Sequence, residues 1–139
     1  MSSSIRVSSL ARREMASVMA ALGSGGSLAI NGGLQPSDCE QDSVDGNELV
    51  RLALGKLTEL GDGRVQGVGS FQGEVERGGS PTWFRVRSRK GEALWDGSVG
   101  MSGADLIIKN NYGATKLYLF KGSVFKLETI VFAVNHRGV

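Results

Sequence analysis

The residues with most scope for chemistry lie in the stretch DGSVGMSGADL, residues 96–106, which holds two aspartates, two serines and three glycines. Paired carboxylates such as Asp96 and Asp105 can perform acid–base catalysis or bind calcium. Their spacing matches no standard calcium loop, because the alternating Asp/Asn ligands and the later Glu of such a loop are missing. Asp96-Gly97 is typical of a tight turn, and Asp105 of a residue entering the next strand. We therefore predict a structural connector with the turn residues Asp96, Gly97, Gly100, Gly103 and Asp105.

Other candidates for catalysis or metal binding are few. The chain has one histidine, His136, and one cysteine, Cys39, whereas a zinc site needs three or four ligands. No residue near His136 in the sequence is an evident partner for a catalytic base. The glycine run at 23–26 follows a predicted helix and lacks the Lys-Ser or Lys-Thr of a phosphate loop, so it is typical of a helix end. The sequence predicts no catalytic residue, no metal and no cofactor, and therefore a protein that is not an enzyme.

A basic row occupies the predicted strand that precedes this stretch. Alternation places four side chains on one face: Trp83, Arg85, Arg87 and Arg89. Such a row could bind nucleic acid through phosphate pairing and base stacking. The net charge of +2 does not favour that partner, and three acidic residues are close enough in sequence to neutralise the arginines: Glu74, Glu76 and Glu92. Because Arg and Trp are enriched at protein contacts, we predict a protein interface here and no direct nucleic-acid binding.

The elements that must position these residues are one helix followed by strands. Five apolar residues form one helical stripe over residues 9–22, which we expect to pack on a sandwich, either that of the same chain or that of a neighbouring chain: Ala11, Met15, Val18, Met19 and Leu22. Ser8 or Ser9 can cap the helix, and Gly23 is placed for a left-handed end. The strand candidates are 27–31, 105–110, 116–120, 124–134 and a hairpin that turns at Lys90-Gly91, with 48–54 as a strand or a helical segment. Residues 33–47 are predicted to be a mobile loop, and 61–80 weak strands or a long loop.

These elements predict a mainly β fold, an antiparallel β-sandwich of jelly-roll type with one N-terminal α-helix. The 139 residues form a single domain, 1–139, with a flexible arm at 1–8, the helix at 9–22 and the sandwich at 27–134. In the last strand the apolar residues change parity, so a bulge near Thr129 or burial of both faces is expected. The apolar runs are too short to cross a bilayer, and the amino terminus lacks the apolar block of a signal peptide. These features predict a soluble, unexported protein with no membrane partner. The single cysteine, Cys39, fits a reducing compartment.

The segment TWFRVRSRKGEALWDGSVGMSGADLIIKN resembles the core motif, WFR...DGSVG.SGADL, of small structural proteins of tailed bacteriophages. The resemblance extends from about Leu10 to Val134 and is specific at 83–108. It implies a non-enzymatic virion component, a capsid decoration or cement protein that binds the major capsid protein or another virion protein, forms homo-oligomers and is made in the host cytoplasm. A tail or head–tail joining protein is an alternative, as is a carbohydrate- or receptor-binding virion module. The rings available to that module are Trp83, Trp95, Tyr112 and Tyr118.

Overall fold

The computed structural model describes residues 8–39, 47–101, 103–107 and 118–133. Within them one helix and eight strands follow in this order: α1 (Ser9–Gly23), β1 (Ser27–Asn31), β2 (Glu48–Ala53), β3 (Leu57–Glu59), β4 (Arg64–Glu74), β5 (Trp83–Arg87), β6 (Ala93–Gly100), β7 (Leu106–Ile107) and β8 (Val124–Ala133). The large sheet has the order β2-β1-β5-β6-β7, and the small sheet the order β3-β4-β8. One apolar cluster contains side chains from both sheets and from the helix. The predicted mainly β, sandwich-like class with an N-terminal helix is confirmed.

The large sheet is antiparallel except where β6 runs parallel to β7. The predicted hairpin is present, because β5 pairs with β6 across a turn in which Gly91 has a φ of 89°. Segment 48–54, left open between strand and helix, contains strand β2. The prediction of a tight turn at Asp96-Gly97 is wrong, since both residues lie inside β6. Gly100, also predicted in a turn, is the last residue of that strand.

The small sheet decides between the two alternatives for the glycine-rich middle of the chain in favour of a strand. Residues 64–74 form a long strand, β4, in which Val65 and Phe71 are buried and two of the glycines, Gly67 and Gly73, occupy positions that lack space for a side chain. A Cβ on Gly67 would lie 2.9 Å from Cδ2 of Leu57, and one on Gly73 would lie 2.5 Å from the Arg51 carbonyl oxygen. Glycine here allows close packing of neighbouring strands, an effect that a propensity scale counts only as destabilising.

The expected change of parity near Thr129 coincides with an irregularity in the pairing of β4 with β8. Val68 pairs with Thr129 and Phe71 pairs with Leu127, so β4 contributes the extra residue. This irregularity allows apolar residues of both parities in β8 to pack on the same core: Phe125, Leu127, Ile130 and Phe132. The bulge alternative is therefore the correct one, with the insertion on the partner strand.

Two other predicted strands are shorter than expected in the described residues. Only Leu106–Ile107 of segment 105–110 forms a strand, and residues 108–110 lie outside the described residues. In segment 116–120, residues 118–120 form a single bridge, Gly79 with Leu119, instead of a strand. Residues 1–7 of the predicted arm at 1–8 also lie outside the described part of the chain, as does His136, whereas Ser8 caps helix α1.

Helix α1 packs on the sheets mainly through small residues, and of the large apolar residues in the predicted stripe only Met19 packs against the core. The buried residues are small, Ala16, Ala20 and Gly23, and a Cβ on Gly23 would lie 2.9 Å from the Leu57 side chain. These small residues hold the helix close to β3, although a search for a stripe of large apolar residues would not select them. Ser8 caps its start through a bond from the Ala11 N–H, and at its end Ser24 donates through Oγ to the Ala20 carbonyl. The left-handed residue is Gly25, with φ 77°, and not Gly23.

Candidate functional site

The outer face of the large sheet, turned away from the apolar core, holds three of the charged residues singled out in the sequence, Arg85, Arg87 and Asp96. Strand register places Arg85 opposite Ala29 on β1 and opposite Asp96 on β6, and Ala29 opposite Arg51 on β2. Directly opposite residues in a sheet project to the same side. A second row crosses the same strands at one end: Ala53, Ser27, Arg87 and Ala93.

Arg85 and Asp96 form a buried, two-pronged ion pair. Nε of Arg85 lies 2.7 Å from Oδ1 of Asp96, and Nη2 lies 2.9 Å from Oδ2. Their side chains are only 2% and 6% exposed. The Arg85 guanidinium also lies 5.4 Å from the centre of the Trp83 ring, within range of a cation–π contact. The counterion of this arginine is thus Asp96, and not one of the three glutamates proposed from sequence.

A segment that follows β1 covers this ion pair and the tryptophan. The Gly32 carbonyl accepts a hydrogen bond from Trp83 Nε1 at 3.1 Å, and the Gly33 carbonyl accepts one from Thr82 Oγ1 at 2.6 Å. Further along, Cys39 Sγ donates to Oδ1 of Asp96 over 3.4 Å. Residues 33–39 of the predicted mobile loop are therefore bonded to the sheet, and residues 40–46 lie outside the described residues.

The covering segment determines which residues of the predicted interface remain accessible. Trp83 and Arg85 are buried beneath residues of the same chain, so these two residues do not offer the predicted protein interface. Arg87 is half-buried and Arg89 is exposed, with the Arg89 side chain lying against the turn at Gly25. The part of the row that another molecule can reach is its far end, Arg87 and Arg89.

The two aspartates of the opening stretch each have their own partners. Asp96 pairs with Arg85, whereas Asp105 accepts through Oδ2 from the backbone N–H and hydroxyl of Ser98, at 2.9 and 3.1 Å. The Ser98 hydroxyl in turn accepts from the Asp105 N–H at 3.0 Å. Gly103 has a φ of 64° in the bend between β6 and β7. These contacts hold β6 against the following segment, and the two carboxylates have different partners.

Arg87 differs from the other cations on the outer face. Arg51 pairs with Glu48 at 2.6 Å and Arg85 pairs with Asp96. Nη1 of Arg87 is enclosed by the protein and has no acceptor among the described residues. Burial lowers the pKa of Arg87, and the positive charges of Arg51 and Arg85 lower it further, while Glu48 and Asp96 oppose this effect.

A second surface is formed by the helix. Met15, Val18 and Leu22 are 46%, 57% and 52% exposed, whereas Met19, from the same predicted stripe, is partly buried and packs against the core. We call the three exposed residues Met15, Val18 and Leu22 the helix stripe. At another position Tyr118 and Phe120 are also exposed, and their ring centres lie 4.8 Å apart. The sequence pattern indicates the apolar stripe on the helix but not which of its residues the rest of the chain covers.

Other features of the described residues bear on the remaining predictions. No three His, Cys, Asp or Glu residues come together in a group that could hold a metal ion. None of the helices in this part of the chain is both long and apolar enough to cross a membrane. Trp95 packs edge-on against Phe132 at 5.4 Å, so it is part of the core and not of an exposed aromatic patch. Tyr112 lies outside the described residues.

In comparisons with known proteins, no family model matches the sequence, and no curated protein or solved structure is significantly similar to it. The assignment of function therefore depends on the surfaces described above and on the sequence resemblance.

Proposed function

We propose that this protein is a non-enzymatic structural protein that assembles with other protein chains, specifically a bacteriophage capsid decoration protein that binds the major capsid protein lattice. The helix stripe carries the general part of this proposal, because contiguous exposed apolar residues mark interaction surfaces. The bacteriophage part is supported by the resemblance of residues 83–108 to virion structural proteins. In this role the virion surface is its location.

The spacing of the stripe suits pairing with another helix. Ala11, Met15, Val18 and Leu22 follow at intervals of four, three and four, the spacing of alternating d and a positions in a coiled coil. An antiparallel second copy would place Leu22 opposite Ala11, and Val18 opposite Met15, so that large residues meet smaller ones. This self-complementary order supports a homo-oligomer formed through α1.

The stripe is small, which limits the affinity of a single contact. Burying a Val, Leu or Met side chain contributes about 1.5–3 kcal/mol, and half of each is already buried. Six such side chains in a pair give about 6 kcal/mol, which the loss of translational and rotational freedom, at 4 kcal/mol or more, largely offsets. Single contacts are therefore weak, and a repeated lattice that is contacted many times would supply the missing affinity.

The test combines solution mass with co-sedimentation. Light scattering gives the oligomeric state, and mixing with empty phage capsids or isolated tails identifies the surface that is bound. Pelleting with capsids at hundreds of copies per particle supports the decoration role, whereas pelleting only with tails would support the tail alternative. Val18→Asp should abolish capsid pelleting, while Ser17→Asp, on another exposed part of the helix, should not. Failure to pellet with either particle contradicts the proposal.

One observation favours a second candidate, a carbohydrate-binding virion module. The exposed ring pair Tyr118 and Phe120 offers an aromatic surface on which a sugar ring could stack. A glycan-binding screen with the wild-type protein and with Tyr118→Ala tests this alternative. It predicts a discrete sugar ligand whose binding is lost in the variant, and no pelleting with capsids.

A further inference from the structure

The segment that crosses the outer face after β1, residues 33–39, is bonded to the large sheet but is little buried; we call it the strap. Residues 33–35, 37 and 38 are exposed, and the Leu34 side chain is 91% exposed. Only Pro36 and Cys39 are half-buried, and no side chain of the strap belongs to the apolar core. Segments with few buried apolar contacts have low local stability, so the strap has little apolar burial to lose on leaving the sheet.

The strap begins next to a residue that is fixed in place. The Gly32 N–H donates to the Asn47 carbonyl at 2.8 Å, and the Gly32 carbonyl accepts from Trp83 Nε1. The following residue, Gly33, has a φ of 76°, in the left-handed region that glycine adopts readily. Its carbonyl accepts a hydrogen bond from Thr82 Oγ1 at 2.6 Å. Hinges are a few residues that absorb a change in backbone dihedral angles, so Gly33 is suited to be a pivot and Thr82 to hold it in place.

The ion pair beneath the strap does not need the strap in order to form. Cys39 Sγ donates to Oδ1 of Asp96 over 3.4 Å, and a thiol is a weak donor. Arg85 and Asp96 lie on the paired strands β5 and β6, and their two mutual bonds do not involve the strap. Uncovering the pair returns water to two charges, which removes part of the desolvation penalty of burial. We therefore expect opening to cost less than the exposure of an apolar surface of similar size.

We propose that the strap is a lid that opens about Gly33 while the sandwich stays folded. In the closed state the lid covers the ion pair, and Arg87 and Arg89 are the accessible part of the basic row. In the open state Arg85 joins them, so that the row presents three arginines to another protein. The lid is independent of the helix stripe and of the proposed virion role, because it is a property of the isolated chain.

The experiment measures how fast a small aromatic disulfide reacts with Cys39, the single cysteine of the chain, in the full-length protein at increasing urea below the unfolding transition. The rate in the unfolded protein is the unprotected reference. We expect less protection than global unfolding would give, and almost no dependence on urea, since a local opening exposes little new surface. Protection equal to that from global unfolding, with the same urea dependence, would overturn the proposal, as would a complete lack of protection.

Variants beside the pivot separate opening of the lid from a thiol that is accessible in the closed state. Thr82→Val removes the hydroxyl that holds the Gly33 carbonyl and should speed the reaction by about two- to tenfold, the factor that corresponds to one neutral hydrogen bond. Thr82→Ser keeps the hydroxyl and should react like the wild type. Thr58→Val removes an exposed hydroxyl on β3 and should leave the rate unchanged. Equal rates in the wild type and all three variants would contradict the lid. If Thr82→Val does not fold, the urea dependence of the wild type decides alone.

Discussion

Breaking the Arg85–Asp96 pair should be among the most destabilising single changes in this protein. Asp96→Asn keeps the shape of the side chain and removes its charge, which leaves the Arg85 guanidinium enclosed between the Trp83 ring and the segment that ends at Cys39. Removing one partner of a buried ion pair typically costs about 3–5 kcal/mol, because the other charge stays desolvated. Removing one partner of a solvent-exposed ion pair should not cost the same free energy of unfolding.

The assay is thermal and urea unfolding of the wild type and its variants. For a chain of 139 residues, 1 kcal/mol corresponds to about 3–5 °C in the unfolding midpoint, so Asp96→Asn should lower it by about 10–20 °C. The matched control is Asp62→Asn, which removes the carboxylate from the exposed ion pair with Arg64 and should leave the midpoint unchanged within error.

A double variant distinguishes charge burial from packing. Replacing both partners, as Arg85→Met with Asp96→Leu, removes the buried charge and should recover most of the stability lost in Asp96→Asn. A midpoint shift for Asp96→Asn no larger than that for Asp62→Asn would contradict a cost of charge burial. A double variant as unstable as the single one would show that packing around these residues, and not the buried charge, determines the loss.

Two further predictions follow from local geometry. Gly97→Ala should destabilise the fold by about 1–3 kcal/mol, since its Cβ would lie 2.4 Å from the Phe84 ring. The control is Gly55→Ala, because a Cβ there would have no heavy atom within 4 Å. This variant should be neutral or slightly stabilising in the same urea assay. The hydrogen bond from Arg64 lowers the pKa of Asp62 from the usual 3.8, so in Arg64→Gln the carboxyl should titrate at a higher pH by NMR; an unchanged midpoint would contradict this cause.

The elements that could be predicted from sequence are those in which local pattern and packing agree. Strand β1 and the β5–β6 hairpin combine alternation with clear turn residues, and helix α1 has a cap and an end signal. The length and regularity of strand β4 could not be predicted, because its glycines weaken every local signal, and the crowding at Gly67 and Gly73 comes from neighbours elsewhere in the chain, such as Leu57. The tight turn assigned to Asp96-Gly97 fails for the same reason: Gly97 serves close contact with Phe84.

The interface residues show a different limit of sequence reasoning. Trp83, Arg85 and Arg87 alternate along one strand and are equivalent in any periodic pattern. What distinguishes them is the segment after β1, whose backbone carbonyl at Gly32 and thiol at Cys39 meet Trp83 and Asp96 across more than fifty positions of sequence. No pattern of neighbouring residues can predict a contact between such distant positions. The alternation therefore predicted correctly that these residues share one face of the strand, but not which of them the rest of the chain covers.

The covered and uncovered parts of the protein together indicate how it could join an assembly. The segment after β1 covers Trp83 and the ion pair, which leaves Arg87 and Arg89 as the part of the basic row that another molecule can reach. Helix α1 contacts β3, β4 and β6, so the helix stripe does not belong to this face, and the two surfaces are separate. One surface is apolar and suits another helix, and the other carries two arginines. A chain with two unlike contact surfaces on a rigid sandwich can touch two neighbours at once, which is the property that a protein binding across a repeated lattice requires.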